Sequence, residues 1–167
     1  MLGNDVVLVT PEKKEYPVLP ANVYQVEIVS ADKVMKVPYG AQPGALEEPF
    51  IAFRFGILTD GDYRGRMLFK DTRPVKPFPP FNGGKSSLIY EIGTAVRGGQ
   101  AYTKEEAEVF TPADINAWIG QQLRLVVIQK PKKDGTMGNS ITGYLPVEKT
   151  LDPLSDDKQP SSESLPV

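Results

Sequence analysis

Apolar and polar residues alternate along residues 50–71 in a way that predicts a β-hairpin. Ile51, Phe53, Phe55 and Ile57 fall on one side of a ribbon with period two, and the turn-forming pair Asp60-Gly61 follows them. A second extended run is predicted to begin near residue 63. The hairpin therefore has one apolar face that can cover a core.

The second arm of this hairpin is predicted to carry positive charge on one face. Arg64, Arg66 and Lys70 have the opposite parity to Met67 and Phe69. Because successive side chains of a strand point to opposite faces, we expect a cationic face outside and an apolar face against the core. A basic strand of this kind is a plausible surface for a polyanion.

The same alternation predicts three more strands. The first runs from about residue 24 towards 37, the fourth covers residues 123–128, and the fifth covers residues 140–147. Residues 38–49 are rich in turn formers and connect the first two strands. Residues 130–139 form a basic loop with Asp134-Gly135 at its tip.

Between the third and fourth strands the spacing changes to that of helices. Ser86 or Ser87 can cap a helix whose apolar residues recur at steps of three and four as far as Val96, and Gly98-Gly99 ends it. A capping box at Thr103 predicts a short helical turn, and Thr111-Pro112 starts another helix with Trp118 on its apolar side. The tryptophan is therefore predicted to lie in the core.

The order of these elements predicts a mainly β domain. Three strands, a helical insertion and two further strands match a five-stranded, OB-like Greek-key barrel. We divide the chain into an N-terminal arm (1–20), the OB-like domain (21–147) and a disordered acidic C-terminal tail (148–167), because the last segment is rich in prolines, serines and acids.

Composition narrows the possible functions. The chain has no cysteine and no histidine, which excludes disulfides, thiolate or imidazole metal sites and the common nucleophilic triads. The carboxylates are dispersed, so we expect a protein that is not an enzyme and has no cofactor or metal. No long apolar run and no secretory signal are evident, so we expect a cytoplasmic location and no membrane partner.

Charge is distributed unevenly along the chain. The first 147 residues carry 17 basic and 16 acidic side chains, whereas the remaining segment is acidic. Two stretches are strongly basic: residues 64–85, which include Arg73 and Lys76, and residues 124–133, which include Lys130, Lys132 and Lys133. Such runs are either solvated faces or contacts for a polyanion.

The segment 73–85 allows two interpretations of its aromatic residues. Four prolines keep it extended, and Phe78 and Phe81 lie among lysines. The rings can fix a proline-rich loop to the barrel wall, as buried aromatics commonly do. Alternatively, at least one ring is exposed as a platform on which bases stack.

Three segments together resemble OB-fold single-stranded DNA-binding proteins, especially the compact ones of phages and mobile elements. They are residues 53–66, the helix ending at Gly120 before the strand 123–128, and residues 139–146. The resemblance implies sequence-tolerant binding of single-stranded DNA in replication or recombination. The acidic tail is similar to tails that recruit a protein partner, although it ends in Ser-Leu-Pro-Val.

The resemblance implies that phosphates and bases contact a set of basic and aromatic residues. The candidate binding residues are Tyr63, Arg64, Arg66, Lys70, Arg73, Lys76, Phe78, Lys130, Lys132 and Lys133, with Tyr39 as a further stacking ring. The hypothesis expects a closed sheet that displays these cations outward, next to the basic loop; an open layered sheet, or cations on separate sides of the molecule, would contradict it. The main alternative is a phage structural or protein-interaction scaffold, followed by a sugar-binding module; oligomeric state is not indicated.

Overall fold

A computed structural model describes residues 5–6, 17–81 and 84–154 of the chain. They contain one five-stranded antiparallel sheet with short helices between its third and fourth strands. The strands are β1 (Asn22–Lys36), β2 (Glu48–Ile57), β3 (Met67–Thr72), β4 (Gln122–Pro131) and β5 (Met137–Leu145), and the helices are α1 (Leu88–Val96), α2 (Lys104–Glu108) and α3 (Pro112–Asn116). The mainly β class and the five predicted strands are confirmed.

The longest strand, β1, organises the sheet, whose order is β3-β2-β1-β4-β5. Residues 22–27 of β1 pair with β4, and residues 26–36 pair with β2. The register with β2 shifts between Ile28 and Ser30, and a bulge of this kind bends a strand. Beyond the bulge β1 remains paired with β2 and is no longer paired with β4.

Within the described residues, the hydrogen-bonded ladder does not close into a barrel, and β3 and β5 stand at its two ends. The two end strands nevertheless line one common groove of about 390 Å³. The β1–β2 loop (37–47) also meets the β4–β5 loop (132–136), because Lys133 Nζ lies 5.1 Å from the ring centroid of Tyr39. The sheet therefore curls round its core, and the predicted closed barrel is found only as this curled, open sheet.

Residues 17–20, here called the seam segment, connect the two end strands. Leu19 is fully buried; its N–H donates to Asn139 Oδ1 at 2.8 Å, and its carbonyl accepts from Asn139 Nδ2 at 2.9 Å. At the β3 end, the Arg66 side chain donates to the carbonyl of Pro17. Side-chain hydrogen bonds thus join the strands where a ladder would otherwise do so, and Leu19, predicted in the arm, belongs to the core.

The core forms where the inner face of the sheet meets α1 and the chain around α3. Phe53 stacks on Trp118 with ring centroids 6.3 Å apart, and the tryptophan is only 5% exposed, which confirms its predicted place. The predicted caps of the first two helices are also confirmed. The Ser87 side chain accepts from the Tyr90 N–H, and Thr103 and Glu106 form the capping box of α2.

Residues 149–154, here called the strap, lie against the outer face of the sheet. Gln25 Nε2 donates to the Lys149 carbonyl at 2.8 Å, Gln122 exchanges two hydrogen bonds with the backbone of Leu151, and the Leu154 N–H donates to Glu27 Oε1 at 3.0 Å. The tail was predicted to be disordered from residue 148, whereas hydrogen bonds to the sheet continue as far as Leu154. Residues 155–167 lie outside the described residues.

Candidate nucleic-acid interface

Arg64 and Arg66 lie in the turn before β3, although both were predicted on the strand itself. Gly61 and Gly65 have φ angles of +128° and +88°, which favour glycine. The Gly65 N–H donates to the Ile57 carbonyl at 2.8 Å, and the Ile57 N–H donates to the Arg66 carbonyl at 2.9 Å. The chain therefore keeps turning through residue 65, and pairing with β2 begins only at Met67.

The two faces of β3 are also the reverse of the prediction. Leu68 pairs with Phe55 and is 9% exposed, whereas Phe69 pairs with Arg54 and is 65% exposed. The alternation was correct, but the core takes the even-numbered residues because the register with β2 places them beside Phe53 and Phe55. The apolar residues predicted to face the core, Met67 and Phe69, lie on the outer face. Lys70, predicted on the outer face, pairs with Phe53 and shares the inner face with Leu68.

The groove between β3 and β5 brings together three of the predicted cations. Arg66 and Lys70 line it from the β3 side, and Lys132 lines it from the β4–β5 loop. The aliphatic part of Lys132 lies over Gly138, where a Cβ atom would come within 2.6 Å of Lys132 Cε. This packing directs the lysine across the start of β5, where Asn139 and Ser140 add polar groups to the groove.

Two cations of this groove, Lys70 and Arg66, act electrostatically on the titratable groups of Glu91 and Tyr24. Burial raises the pKa of Glu91 on α1, and the positive charge of Lys70 opposes that rise. Burial and the neighbouring Tyr63 raise the pKa of Tyr24, while Arg66 acts in the opposite direction. Lys70 and Arg66 thus lie close enough to Glu91 and Tyr24 for their positive charges to lower the pKa of these groups.

Tyr63 packs against the core, although it was predicted as a stacking ring. Its ring meets that of Tyr24 edge-on, with centroids 6.3 Å apart, and it is only partly exposed. Its remaining surface lines a hollow that it shares with Arg66, Met67 and Phe69. That hollow adjoins the groove, because the last three residues line both.

The guanidinium of Arg64 binds backbone carbonyls. It donates to the Leu58 carbonyl at 2.7 Å and to the carbonyls of Asp152 and Pro153 at 3.0 and 3.5 Å. These contacts tie the turn 58–66 to the strap, and Arg64 does not line the groove. Its positive charge therefore holds two segments together.

Arg73, Lys76 and Phe78 lie away from the groove. Arg73 forms an ion pair with Glu48 at 2.8 Å, and Lys76 donates to the Glu108 carbonyl at 2.7 Å. Phe78 is half-buried, as expected for a ring that fixes the proline-rich segment, whereas Phe81 is 76% exposed. Each of the two interpretations of this segment thus fits one of its rings.

The remaining predicted cations lie on the β4–β5 hairpin. Lys130 is the exposed penultimate residue of β4, so it belongs to the strand and not to the loop. Lys133 is in the loop as predicted and contacts Tyr39, whose side chain is 89% exposed. This cation–π contact joins the two loops that flank the sheet.

Sequence reasoning missed Phe69, the aromatic ring that lines the groove. Phe69 lies on the outer face of β3 beside Arg54, whose Cζ is 5.5 Å from the ring centroid. Neither residue was a candidate, because the apolar parity of β3 was assigned to the core. Only the register with β2 assigns Phe69 to solvent, and that register is not visible in the sequence of β3 alone.

Comparison of the chain with models of known protein families gives no match, and comparison with curated proteins gives none either. Among the residues that the structure describes, no group of three or more acidic side chains is arranged to hold a metal ion. Within the same ranges, no helix has the length and apolar character needed to cross a bilayer. The assignment of function therefore depends on the groove and its surroundings.

Proposed function

We propose that this protein binds single-stranded DNA, with little sequence preference, along the groove between β3 and β5. The observation that carries the proposal is the convergence of Arg66, Lys70 and Lys132 on one groove, next to an exposed Phe69. The cations come from stretches more than 60 residues apart in sequence. Such a convergence is the electrostatic arrangement that a polyanion requires.

The strand order supports an OB-like Greek-key topology for this domain. In that fold a partly open five-stranded barrel binds oligonucleotides on the face of its second and third strands, between the loops that follow strands 1 and 4. Here β1 pairs with both β2 and β4, and β3 faces β5 across the groove. The Tyr39–Lys133 contact joins the corresponding two loops.

The proposed mechanism combines charge and stacking. Phosphates approach Arg66, Lys70 and Lys132 and release condensed counterions, so affinity falls as salt rises. A base stacks on the ring of Phe69, and the guanidinium of Arg54 lies beside the same ring. Stacking of this kind contributes about 1 to 3 kcal/mol per base and tolerates any base, because every base has a π face.

The test is a fluorescence-anisotropy titration of a labelled oligo-dT at several salt concentrations. For the double variant Lys70→Ala/Lys132→Ala we expect weaker binding and a salt slope shallower by about 0.7 for each lost phosphate contact. Phe69→Ala should lose about 1 to 3 kcal/mol of binding free energy with the slope unchanged. Lys104→Ala, an exposed lysine on α2, is the matched control.

Arg64→Ala is a second control. Arg64 has the same positive charge as the groove lysines, but its guanidinium binds carbonyls of the turn and the strap. We expect its salt slope to stay near that of the wild type. Equal slopes for the wild type and the Lys70→Ala/Lys132→Ala variant would remove the groove as the phosphate site.

The alternative function is a non-enzymatic scaffold for protein contacts. The near balance of 17 basic and 16 acidic side chains before residue 148 favours it, since many dedicated nucleic-acid binders are more positive. Size-exclusion chromatography with and without oligo-dT distinguishes the two functions. An unchanged elution volume at concentrations that saturate known binders favours the scaffold.

A further inference from the structure

A cleft of about 570 Å³ lies apart from the groove, below the β1–β2 hairpin. Its walls come from β1 and β2 beyond the bulge, from the chain that follows β3, and from the chain leading into α3. It is lined by Ala31, Asp32, Lys33, Pro49, Phe50 and Ile51, together with residues 74–76, 110–112 and 115–116. Its volume is in the range of sites that bind drug-sized molecules or peptide side chains.

The cleft walls are mainly apolar. Pro49, Pro74 and Pro112 have no N–H to offer, so few backbone donors are available there. On its rim, Val75 is 49% exposed, and Val109, the neighbour of the wall residue Phe110, is 75% exposed. Exposed aliphatic side chains beside an apolar cleft are typical of a surface that a partner covers.

The positive charges that face the cleft come from two lysines. Lys33 pairs with Ile51, so both side chains leave the sheet on the same face, whereas Asp32 pairs with Ala52 on the opposite face. Lys33 has no hydrogen-bond or ion-pair partner among the described residues. Lys76 uses one of its donors on the Glu108 carbonyl and keeps two others.

Two other cations near the cleft form ion pairs within the protein. Lys36 pairs with Asp71 at 2.6 Å and Arg73 pairs with Glu48 at 2.8 Å. Both cations also lie over the ring of Phe50, at 4.8 and 5.2 Å from its centroid. Phe50 and Phe110 are each 8% exposed, so neither of these cleft rings offers a free face on which a base could stack.

We propose that this cleft docks an extended segment of a partner polypeptide, in which apolar side chains are flanked by carboxylates. The apolar walls take the aliphatic or aromatic side chains, and Lys33 and Lys76 take the carboxylates. A nucleic acid fits less well, because among the described residues neither ring of the cleft has a free face and two of the four nearby cations are already paired. This site is separate from the groove and does not depend on the DNA-binding proposal.

The experiment uses the full chain labelled with ¹⁵N and titrated with the blocked peptide Asp-Leu-Phe-Leu-Asp. We expect saturable shifts at the amides of Ile51, Val75 and Asn116. The blocked peptide Lys-Leu-Phe-Leu-Lys should bind more weakly. Lys33→Glu should weaken the acidic peptide by about fivefold and strengthen the basic one, because it reverses the charge at an exposed ion pair.

Val75→Ser tests the apolar wall and should weaken the binding of both peptides. The matched control is Leu46→Ser, at an 86% exposed leucine in the β1–β2 loop, which should change the affinity of neither peptide. Equal affinity of the two peptides for the wild type would overturn the proposal, as would shifts confined to other surfaces. Displacement of the acidic peptide from these amides by oligo-dT would assign the cleft to nucleic acid and also overturn it.

Discussion

Gly93 occupies the middle of α1, where two aromatic rings leave no room for a side chain. A Cβ atom at this position would lie 2.5 Å from Tyr102 Cε2 and 2.8 Å from Trp118 Cζ2. Glycine inside a helix ordinarily costs about 1 kcal/mol relative to alanine. Here the absence of a side chain at Gly93 allows α1 to pack directly on the rings of Tyr102 and Trp118.

Gly93→Ala should therefore destabilise the protein, although alanine is the better helix former. We expect the free energy of unfolding to fall by about 1 to 3 kcal/mol, the usual cost of overpacking a core. Urea denaturation followed by circular dichroism measures it. Thr94→Ala is the control, because the Thr94 hydroxyl is buried without a hydrogen-bond partner among the described residues, and stability should stay the same or rise.

At this scale the sequence predicted what is decided locally. The cap at Ser87 and the capping box at Thr103 depend on residues three positions apart, and both were identified correctly. The exposure of Phe69 depends on its pairing with Arg54 of another strand, so alternation in β3 alone could not reveal it. For the same reason the sequence did not identify Phe69, the ring on which we propose that a base stacks.

At the scale of elements, the strap connects parts of the sheet that are distant in sequence. Gln122 on β4 holds the Leu151 backbone through two hydrogen bonds of 2.7 and 2.9 Å. The side chain of Leu154 lies over Gly56, where a Cβ atom would come within 2.3 Å of Leu154 Cδ1. The strap therefore needs both an amide on β4 and a glycine on β2.

Gln122→Ala should loosen the strap while leaving the strands paired. We expect faster hydrogen exchange at residues 149–154 and a loss of about 0.5 to 1.5 kcal/mol for each hydrogen bond removed. Hydrogen–deuterium exchange with mass spectrometry measures the local effect. Gln121→Ala, an exposed neighbour, should behave as the wild type; identical exchange in all three proteins would mean that the strap does not depend on this amide.

Element order and type were predictable, since each strand has its own alternation and each helix its own cap. The strap was not, because its proline- and acid-rich composition is that of a disordered segment. Its hydrogen bonds to the strands of the sheet come from Gln25, Glu27 and Gln122, which are ordinary polar residues in the sequence of their strands. Only their common position on one face identifies them as a binding surface for the strap.

At the scale of the whole molecule, the seam segment holds the two ends of the sheet together. Asn139 bonds both the N–H and the carbonyl of Leu19, a residue 120 positions away. Gln129 adds a second donor to the same carbonyl at 3.1 Å. The strand pattern predicted a closed sheet, but the ladder stays open, and its two ends are joined by side-chain hydrogen bonds, which no alternation of apolar residues encodes.

Asn139→Ala should weaken this connection between the ends of the sheet, because it leaves the N–H of the buried Leu19 without its acceptor. We expect a loss of about 1 to 3 kcal/mol of stability, the cost of an unsatisfied buried polar group. Differential scanning calorimetry measures the change. Thr142→Ala on the same strand is the control, since its hydroxyl makes only a 3.4 Å contact with the Val126 carbonyl. Equal losses for the two variants would contradict the role of the seam.

The Tyr39–Lys133 contact has a consequence for kinetics. It links the tips of the β1–β2 and β4–β5 hairpins, whose strands β1 and β4 are no longer paired beyond the bulge in β1. A circular strand has no free end, so it can pass beneath two touching loops only if the loops separate. A linear strand can instead thread one of its ends between the loops and the sheet. Breaking this contact costs about 0.5 to 1 kcal/mol, the usual contribution of an exposed cation–π pair, so under the proposed DNA-binding function we expect circular and linear strands to associate at comparable rates.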